Sequence, residues 1–272
     1  MLIRIVSGIV GVVALVAVLV FMPAVATEIA VAVVASLALF EFYGAVLGKG
    51  EELLKKAPLV VAGYAMGLAL AFVDPGRMFP VLVLSGIVFL AIPVFKYKAV
   101  TFRDCSAAYL GSVYVFALLR HVSMVRVQDN GAFLVFAIFI GAFITDTGAY
   151  FAGCFLGKHK LALELSPKKT IEGSVGGILA TLIAFCLYAY IGNRFWNYGI
   201  NAGNLVITAV ILSVISQMGD LAASAIKREM GIKDYGNIMP GHGGALDRFD
   251  SVLFVAPMYY WLNEILPIFV IK

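Results

Sequence analysis

The sequence predicts an all-α, polytopic integral membrane protein, and three observations favour this fold class. Of its 272 residues, 62% are hydrophobic and only 13% are charged, whereas soluble domains average about 45–50% and about 25% respectively. Apolar runs recur along the whole chain, and about 20 helical residues are enough to cross a hydrocarbon core about 30 Å thick. Lys and Arg are also divided unevenly between alternate loops, which is typical of membrane topology.

Nine apolar segments are candidate membrane-spanning helices. They cover residues 5–22, 29–47, 58–73, 79–95, 107–119, 131–150, 175–191, 202–218 and 252–271. The short segment 107–119 is compatible with a tilted helix, a re-entrant segment or a helix extended through its polar flanks. The first segment resembles a signal peptide, but its apolar run is longer than the roughly 7–15 residues of such leaders, so we expect a retained helix.

The basic residues predict the orientation of the chain. With nine spans, 15 Lys and Arg residues lie on one side and 5 on the other. Because cytoplasmic loops carry the excess, we expect a cytoplasmic amino terminus and a carboxyl terminus outside. The basic residues are scattered among short loops instead of forming one stripe, so the net charge of +4 does not indicate a nucleic-acid partner.

No internal repeat or low-complexity linker divides the sequence. We therefore expect residues 1–272 to form a single membrane domain. Within it, residues 1–100 carry no recognised motif, whereas residues 101–272 carry the polar segments that are candidates for a catalytic site.

The longest polar segment, residues 219–251, begins as a continuation of an apolar helix. At 100° per residue, Asp220, Ser224 and Lys227 lie on one stripe of this helix, with Arg228 beside it. A helix end that emerges into water explains the two basic residues, because they complement the helix dipole. It does not explain Asp220, since a carboxylate next to an apolar run usually faces a cation or an ion.

A glycine-rich loop follows, with turn residues at 233–237 and the sequence Pro-Gly-His-Gly-Gly at 240–244. Glycines allow backbone N–H groups to approach an anion closely. His242 has two alternative roles, contact with a phosphate or shaping of the turn.

The last helix is predicted to begin near Ala245, which places Asp247 and Asp250 on one face near its start. Two carboxylates at this spacing suit a divalent cation that bridges to phosphates. The alternative is that these acids only complement the helix dipole.

A second polar cluster occupies residues 157–173. Ser166 followed by proline predicts a helix N-cap and first position, so that Lys168, Lys169 and Thr170 would lie at a helix amino terminus, a common anion-binding site. The alternative is ordinary positive charge in a cytoplasmic loop.

Three acidic residues lie inside apolar runs. Asp146 is predicted in the inner leaflet, near the face that carries the polar loops, and is a functional candidate. Glu41 and Glu264 have no neighbouring motif, and we interpret them as partnered helix residues.

The polar positions together resemble a known family, the phosphatidate cytidylyltransferases. The resemblance rests on Ser224-x-x-Lys227-Arg228, Lys233-Asp234, Pro240-Gly241-His242-Gly243-Gly244 and Asp247-Arg248-x-Asp250. The segment from Ser166 to Gly173 is similar to the other polar segment of this family. The first hundred residues contain no motif that matches.

The resemblance implies a metal-assisted nucleotidyl transfer between CTP and phosphatidic acid, giving CDP-diacylglycerol and pyrophosphate. It implies Mg²⁺, or alternatively Mn²⁺, as cofactor and a site at the cytoplasmic membrane surface. The short loops of the sequence fit a bacterial plasma membrane. The implied metal ligands are Asp220 and Asp247, supported by Asp146 and Asp250. Lys227 and Arg228 are the implied catalytic cations. The implied substrate-binding residues are Ser166, Lys168, Lys169, Thr170, Ser224, Lys233, His242, Gly243, Gly244 and Arg248.

Two other functions remain open at this point. A CTP-dependent kinase of polyprenol or another lipid alcohol would share the phosphate and metal groups. An ion-coupled transporter would use Asp146 and Asp220, although such sites usually lie near the membrane midplane between repeats. The oligomeric state is also open, with a homodimer as one alternative.

Overall fold

The computed structural model describes residues 2–196, 198–238 and 243–271, and this part of the chain is mostly helical. Its α-helices are α1 (Leu2–Phe21), α2 (Ala24–Val46), α3 (Glu51–Lys55), α4 (Ala57–Phe72), α5 (Met78–Phe95), α6 (Phe102–Ser112), α7 (Leu118–Val127), α8 (Gly131–Leu134), α9 (Phe136–Phe139), α10 (Thr145–Leu156), α11 (Ile171–Trp196), α12 (Ala202–Glu229) and α13 (Leu246–Ile265). A 3₁₀ turn at Pro75–Arg77 precedes α5. Two π-helical segments, Val113–Ala117 and Ile140–Ile144, join α6 to α7 and α9 to α10.

Six helical stretches in the described part of the chain are long and apolar enough to cross a membrane. They are Ala24–Val46, Pro75–Phe95, Phe102–Val127, Gly131–Leu156, Ile171–Trp196 and Ala202–Glu229. The protein is therefore an integral membrane protein, as predicted, although this set does not confirm the count of nine. The predicted segment 107–119 lies inside the 26-residue stretch Phe102–Val127, so it is a helix extended through its polar flanks.

Two short antiparallel sheets amend the all-α prediction. One pairs β1 (Lys160–Ala162) with β2 (Ser166–Thr170), and the other pairs β3 (Tyr198–Ile200) with β4 (Phe269–Ile271). The predicted final span, 252–271, is therefore wrong at its end, because α13 stops at Ile265. Pro267 disfavours further helix, and the residues beyond it extend to pair with β3.

The predicted helix start at Ser166 is also wrong. Ser166 begins strand β2, and the helix starts only at Ile171. The fixed φ of Pro167 suits an extended strand as well as a first helical turn, and pairing with β1 decides between them. The residue that caps α11 is Thr170, whose Oγ1 accepts the N–H of Gly173 at 3.1 Å, as an N-cap hydroxyl does.

The chain folds as two compact units, and the first contains Met1–Val127 together with Glu229–Phe249. In its core, α2 packs against α4, α6 and α7. The buried Tyr43 hydroxyl of α2 donates to Ala108 O at 2.9 Å and lies 2.7 Å from Ser112 Oγ. A buried hydroxyl that is satisfied across two helices ties α2 to α6.

The second unit contains Gln128–Arg228 together with Asp250–Lys272, and its closest helix pair is α10 with α11. Small residues line this contact, as is common between membrane helices. A Cβ on Gly177 would lie only 2.9 Å from Thr145 O, so the glycine is required by the close approach of the backbones. Beside it, the hydroxyls of Thr145 and Thr181 are 2.6 Å apart.

Candidate functional site

A cavity of about 490 Å³ lies in the second unit, and we call it the pocket. Five residues that the sequence singled out line it together. They are Asp146 from α10, Lys168, Lys169 and Thr170 from β2, and Asp220 from α12. Three segments that are far apart in the sequence therefore contribute both acidic and basic groups to one concave surface.

An ion pair links two of the pocket elements. Lys169 Nζ lies 2.6 Å from Asp220 Oδ2, and the two side chains are 23% and 29% exposed. Partial burial reduces solvent screening, so this pair is stronger than one on an open surface. A phosphate that entered the pocket would compete with Asp220 for the Lys169 ammonium.

The hairpin of β1 and β2 is attached to α11 by Glu172, in the first turn of that helix. The Glu172 carboxylate accepts the N–H of Lys158 at 3.1 Å and the N–H of His159 at 3.2 Å. Its Oε1 also lies 2.6 Å from His159 Nδ1. These contacts hold the chain just before Lys160, whose side chain lines the pocket.

Asp250 of α13 adds a third carboxylate to the acidic groups of the second unit. The pKa of Asp250 is raised to about 7, first because the side chain is buried and then because Asp220 and Asp146 carry like charges, whereas Lys227 opposes the rise. Ser251 connects two of these acids. Its N–H donates to Asp250 Oδ1 at 2.7 Å, and its Oγ donates to Asp146 Oδ2 at 3.0 Å.

The predicted stripe on α12 is present. Ser224 Oγ lies 3.5 Å from Asp220 Oδ1, and both Ser224 and Lys227 are buried. Arg228, the next residue, is exposed. The stripe thus carries a carboxylate, a hydroxyl and an ammonium along one face, as the helical spacing predicts.

Asp247 belongs to the first unit, where it binds the backbone at positions 235 and 244, near either end of the glycine-rich loop. Its Oδ2 accepts the N–H of Tyr235 at 2.8 Å and the N–H of Gly244 at 3.3 Å. The helix that carries it, α13, begins at Leu246, one residue after the predicted start. Asp247 therefore has a structural role that the sequence did not indicate, and its role as a metal ligand stays a prediction.

The other described residues that the sequence predicted to bind substrate do not line the pocket. Ser166 is at the start of β2 and is not one of the pocket residues, while Lys233 and Arg248 are exposed. Gly243 has φ of 86°, a conformation that favours glycine. His242 lies outside the described residues, together with 239–241, so its role stays a prediction.

Sequence reasoning missed several residues at these sites. Gln217 lines the pocket, and Ser251 bonds to the acids beside it. Lys160, which the sequence placed in the second polar cluster without a specific role, lines the pocket as well. Glu41 is buried in α2, and its Oε2 accepts the N–H of Leu246 at 2.9 Å. The sequence did offer a signal for Glu41, because it is an ionisable residue inside an apolar run. Its partner could not be predicted, since Leu246 lies about two hundred positions away in the sequence.

The comparison with protein families decides the classification of this chain. The model described as "Cytidylyltransferase family" matches residues 2–266. The chain belongs to the cytidylyltransferase family. Among curated proteins it is similar to several named phosphatidate cytidylyltransferase. One from Staphylococcus epidermidis is 36% identical over 209 residues, which are 74% of this chain and 78% of that protein.

Two other bacterial relatives with the same name match over shorter stretches. The protein from Bacillus subtilis is 38% identical over 185 residues, 68% of this chain and 66% of its own length. The protein from Staphylococcus haemolyticus is 38% identical over 164 residues, and the match spans 59% of its length. The similarity to the cytidylyltransferase family thus extends beyond the polar motifs into the helices that carry them.

The carboxylates of this family member have the donor chemistry that a hard divalent cation prefers, because Mg²⁺ and Mn²⁺ bind oxygen ligands. Asp146 and Asp220 are both close enough to Asp250 for their charges to act on it. Among the described residues, however, no group of three or more His, Cys, Asp or Glu side chains is arranged to hold a metal ion. The carboxylate oxygens are therefore of the type that binds a divalent cation, but the described side chains are not arranged around a common metal position.

Proposed function

We propose that this family member joins CTP to phosphatidate and forms CDP-diacylglycerol and pyrophosphate. The observation that carries the proposal is the pocket, which combines lysines with carboxylates in a protein built from membrane-spanning helices. The relatives named phosphatidate cytidylyltransferase support it. A phospholipid substrate also explains why a reaction between headgroups belongs to a membrane protein.

The reaction needs positioning and charge neutralisation more than proton transfer. A phosphate oxygen of phosphatidate forms a bond to the α-phosphorus of CTP, while the bond from that phosphorus to the β-phosphate oxygen breaks and pyrophosphate leaves. The nucleophile is already an anion, so it requires no general base. The barrier is mainly the repulsion between two polyanions, which cationic donors reduce.

The basic residues of the pocket supply such donors. Lys168 and Lys169 would bind phosphate oxygens, and Lys169 would exchange its ion pair with Asp220 for a substrate phosphate. Ser224, Lys227 and Arg228 on α12 would bind further phosphate oxygens. A Lys ammonium is suited to this task because it acts as a compact charge with three donors.

Asp220 and Asp250, with Asp146 beside them, are the residues of the second unit that would hold Mg²⁺ or Mn²⁺. Asp247 of the first unit is proposed, separately, as a metal ligand. When bound, the cation supplies neutralisation of phosphate charge. The chain's own contribution is to hold Asp146 and Asp250 through Ser251. Lys169 forms an ion pair with Asp220, so a metal ion would compete with Lys169 for this carboxylate.

Labelled CTP tests the reaction. Purified full-length protein is incubated with phosphatidate, magnesium and CTP labelled at either the α- or the γ-phosphate. We expect label from the α-phosphate, and none from the γ-phosphate, in the lipid product. Transfer of the γ-phosphate to a lipid alcohol would instead establish the kinase function, and absence of any lipid product with all three components would contradict both.

We also propose nine spans with a cytoplasmic amino terminus, an outside carboxyl terminus and the polar loops on the cytoplasmic side of a bacterial plasma membrane. Single cysteines at Gly157 and Asn237, in a protein that lacks its three native cysteines, test this topology. We expect an impermeant thiol reagent to label both in inverted vesicles and neither in right-side-out vesicles. Equal labelling of position 237 from outside would overturn the orientation.

A further inference from the structure

Glu41 is a buried acid in the part of the sequence that carries no recognised motif. It lies in α2 and is only 4% exposed. Its Oε2 accepts the N–H of Leu246, the first residue of α13, at 2.9 Å. Backbone N–H groups at the start of a helix have no partner within the helix, so a carboxylate from α2 satisfies one of them.

Two glycines of the loop are shaped around the same carboxylate. A Cβ on Gly236 would lie 2.6 Å from Glu41 Cδ, and a Cβ on Gly244 would lie 2.5 Å from Glu41 Oε2. For both positions, the three nearest heavy atoms all belong to Glu41. Neither glycine has positive φ, so it is the close approach of Glu41, and not the backbone conformation, that requires glycine there.

The neighbouring residue of α2 holds the loop as well. Tyr235 is buried, and its ring centroid lies 6.3 Å from that of Phe42. The N–H of Tyr235 donates to Asp247 Oδ2, which also accepts the N–H of Gly244. Two successive residues of α2 thus contact the loop at positions 235, 236 and 244, and Asp247 joins its two ends.

In its described contacts, the Glu41 carboxylate is bound by backbone and not by a cation. Within the described part of the chain, no salt bridge involves Glu41. Burying a carboxylate is costly unless it is hydrogen-bonded or paired. A carboxylate that accepts the Leu246 N–H and lies against Gly236 and Gly244 is placed to hold this part of the loop.

We propose that Glu41 is a positioning residue, which holds the ends of the glycine-rich loop and the start of α13 so that Asp247 and the loop backbone keep their arrangement. Glu41 acts through the loop and does not touch substrate. The inference rests on the proposed assignment of this loop to the active site. It assigns a functional role to α2, from the first hundred residues.

A double-mutant cycle tests the proposal. Gly236→Ala is made in the full-length protein and again in the Glu41→Ala background, and kcat/KM for CTP is measured with the midpoint of thermal unfolding. The added methyl collides with the carboxylate only when Glu41 is present. We expect Gly236→Ala to lower kcat/KM about tenfold when Glu41 is present and less than about threefold in the Glu41→Ala background, a coupling of the size seen between residues in contact.

Two matched variants serve as controls. Gly243→Ala introduces strain at positive φ, which does not depend on Glu41, so its fractional loss of kcat/KM is expected to be the same in both backgrounds. Glu264→Gln changes a carboxylate whose partner is the Gln128 amide, at 2.7 Å, and is expected to leave kcat/KM unchanged. Glu41→Gln keeps an oxygen that can accept the Leu246 N–H, and it should recover most of the activity lost in Glu41→Ala.

Several results would overturn the role of Glu41. These are equal losses for Gly236→Ala in both backgrounds, full activity of Glu41→Ala, or Glu41→Gln as inactive as Glu41→Ala at an unchanged unfolding midpoint. If Glu41→Ala does not fold, Glu41→Ser, which also lacks the carboxylate that meets the two glycines, takes its place, and equal losses for Gly236→Ala in that background and in the normal protein would also overturn it. Failure of the loop assignment is separate, because full activity of Gly243→Ala would indicate that the loop is not part of the active site.

Discussion

The acids at the loop of the first unit and those at the pocket of the second unit are satisfied in different ways. Glu41 and Asp247 accept backbone N–H groups, so each holds the chain in one shape. Asp220 instead faces the Lys169 ammonium, and the charges of Asp146 and Asp220 act on Asp250. Acids of the first kind organise backbone, whereas acids of the second kind lie near one another and near a lysine, an arrangement that suits a cation for the acids and a phosphate for the lysine.

The largest effect is expected at the pocket, from Asp220→Asn. The amide keeps the shape of the side chain but removes the charge that holds Lys169 and that would hold a metal ion. Because metal stabilisation of phosphate charge is worth several kcal/mol, we expect kcat to fall by about a thousandfold. The measurement is the initial rate at saturating CTP and phosphatidate.

A matched control for this variant is Asp129→Asn, which alters an exposed carboxylate of the same unit outside the pocket. It should retain the normal rate. A folded Asp220→Asn protein with a rate within about threefold of normal would remove Asp220 from the catalytic site; a change this small corresponds to less than about 1 kcal/mol.

Asp247→Asn tests whether Asp247 both binds the loop backbone and acts as a metal ligand. If Asp247 only binds the loop backbone, its hydrogen bonds would contribute about 1–3 kcal/mol to the free energy of unfolding. As a metal ligand as well, its loss should lower kcat by about a hundredfold or more, with partial rescue by raised Mg²⁺ or by Mn²⁺. Initial rates across a magnesium titration, together with the unfolding midpoint, separate the two roles.

Asp250→Asn is the comparison variant for this experiment, and we expect a milder loss because its amide also relieves repulsion from Asp146 and Asp220. Near-normal activity of folded Asp247→Asn at ordinary magnesium would exclude Asp247 as a ligand. It would leave the hydrogen bonds to Tyr235 and Gly244 as its main contribution.

The smallest effect is expected from Thr170→Ala. Thr170 lines the pocket, but its hydroxyl already accepts the Gly173 N–H. Loss of an N-cap hydroxyl costs about 0.5–2 kcal/mol of stability, so we expect a lower unfolding midpoint and a kcat that changes little. Thr170→Ser keeps the oxygen and should restore the midpoint. A large rise in KM for CTP in Thr170→Ala alone would indicate that the hydroxyl binds phosphate instead.

Local properties of the chain were predictable from the sequence. Hydropathy depends on neighbouring residues, so the six long apolar helices were expected, as was the stripe of Asp220, Ser224 and Lys227, which follows from helical periodicity. The end of the last apolar segment was not, because it forms a strand. The polar motifs also pointed to the cytidylyltransferase family, and the family match over residues 2–266 agrees with them.

Contacts between distant segments were decided only by the tertiary structure. Pairing with β1 turned Ser166–Thr170 into a strand instead of a helix start, and the approach of β2 to α12 placed Lys169 against Asp220. The contacts of Glu41 were likewise decided by the tertiary structure. Its carboxylate accepts the N–H of Leu246 and lies where Gly236 and Gly244 have no side chain. Periodicity reports the face on which a side chain lies, but a partner some two hundred residues away is determined by packing, and packing depends on the whole chain at once.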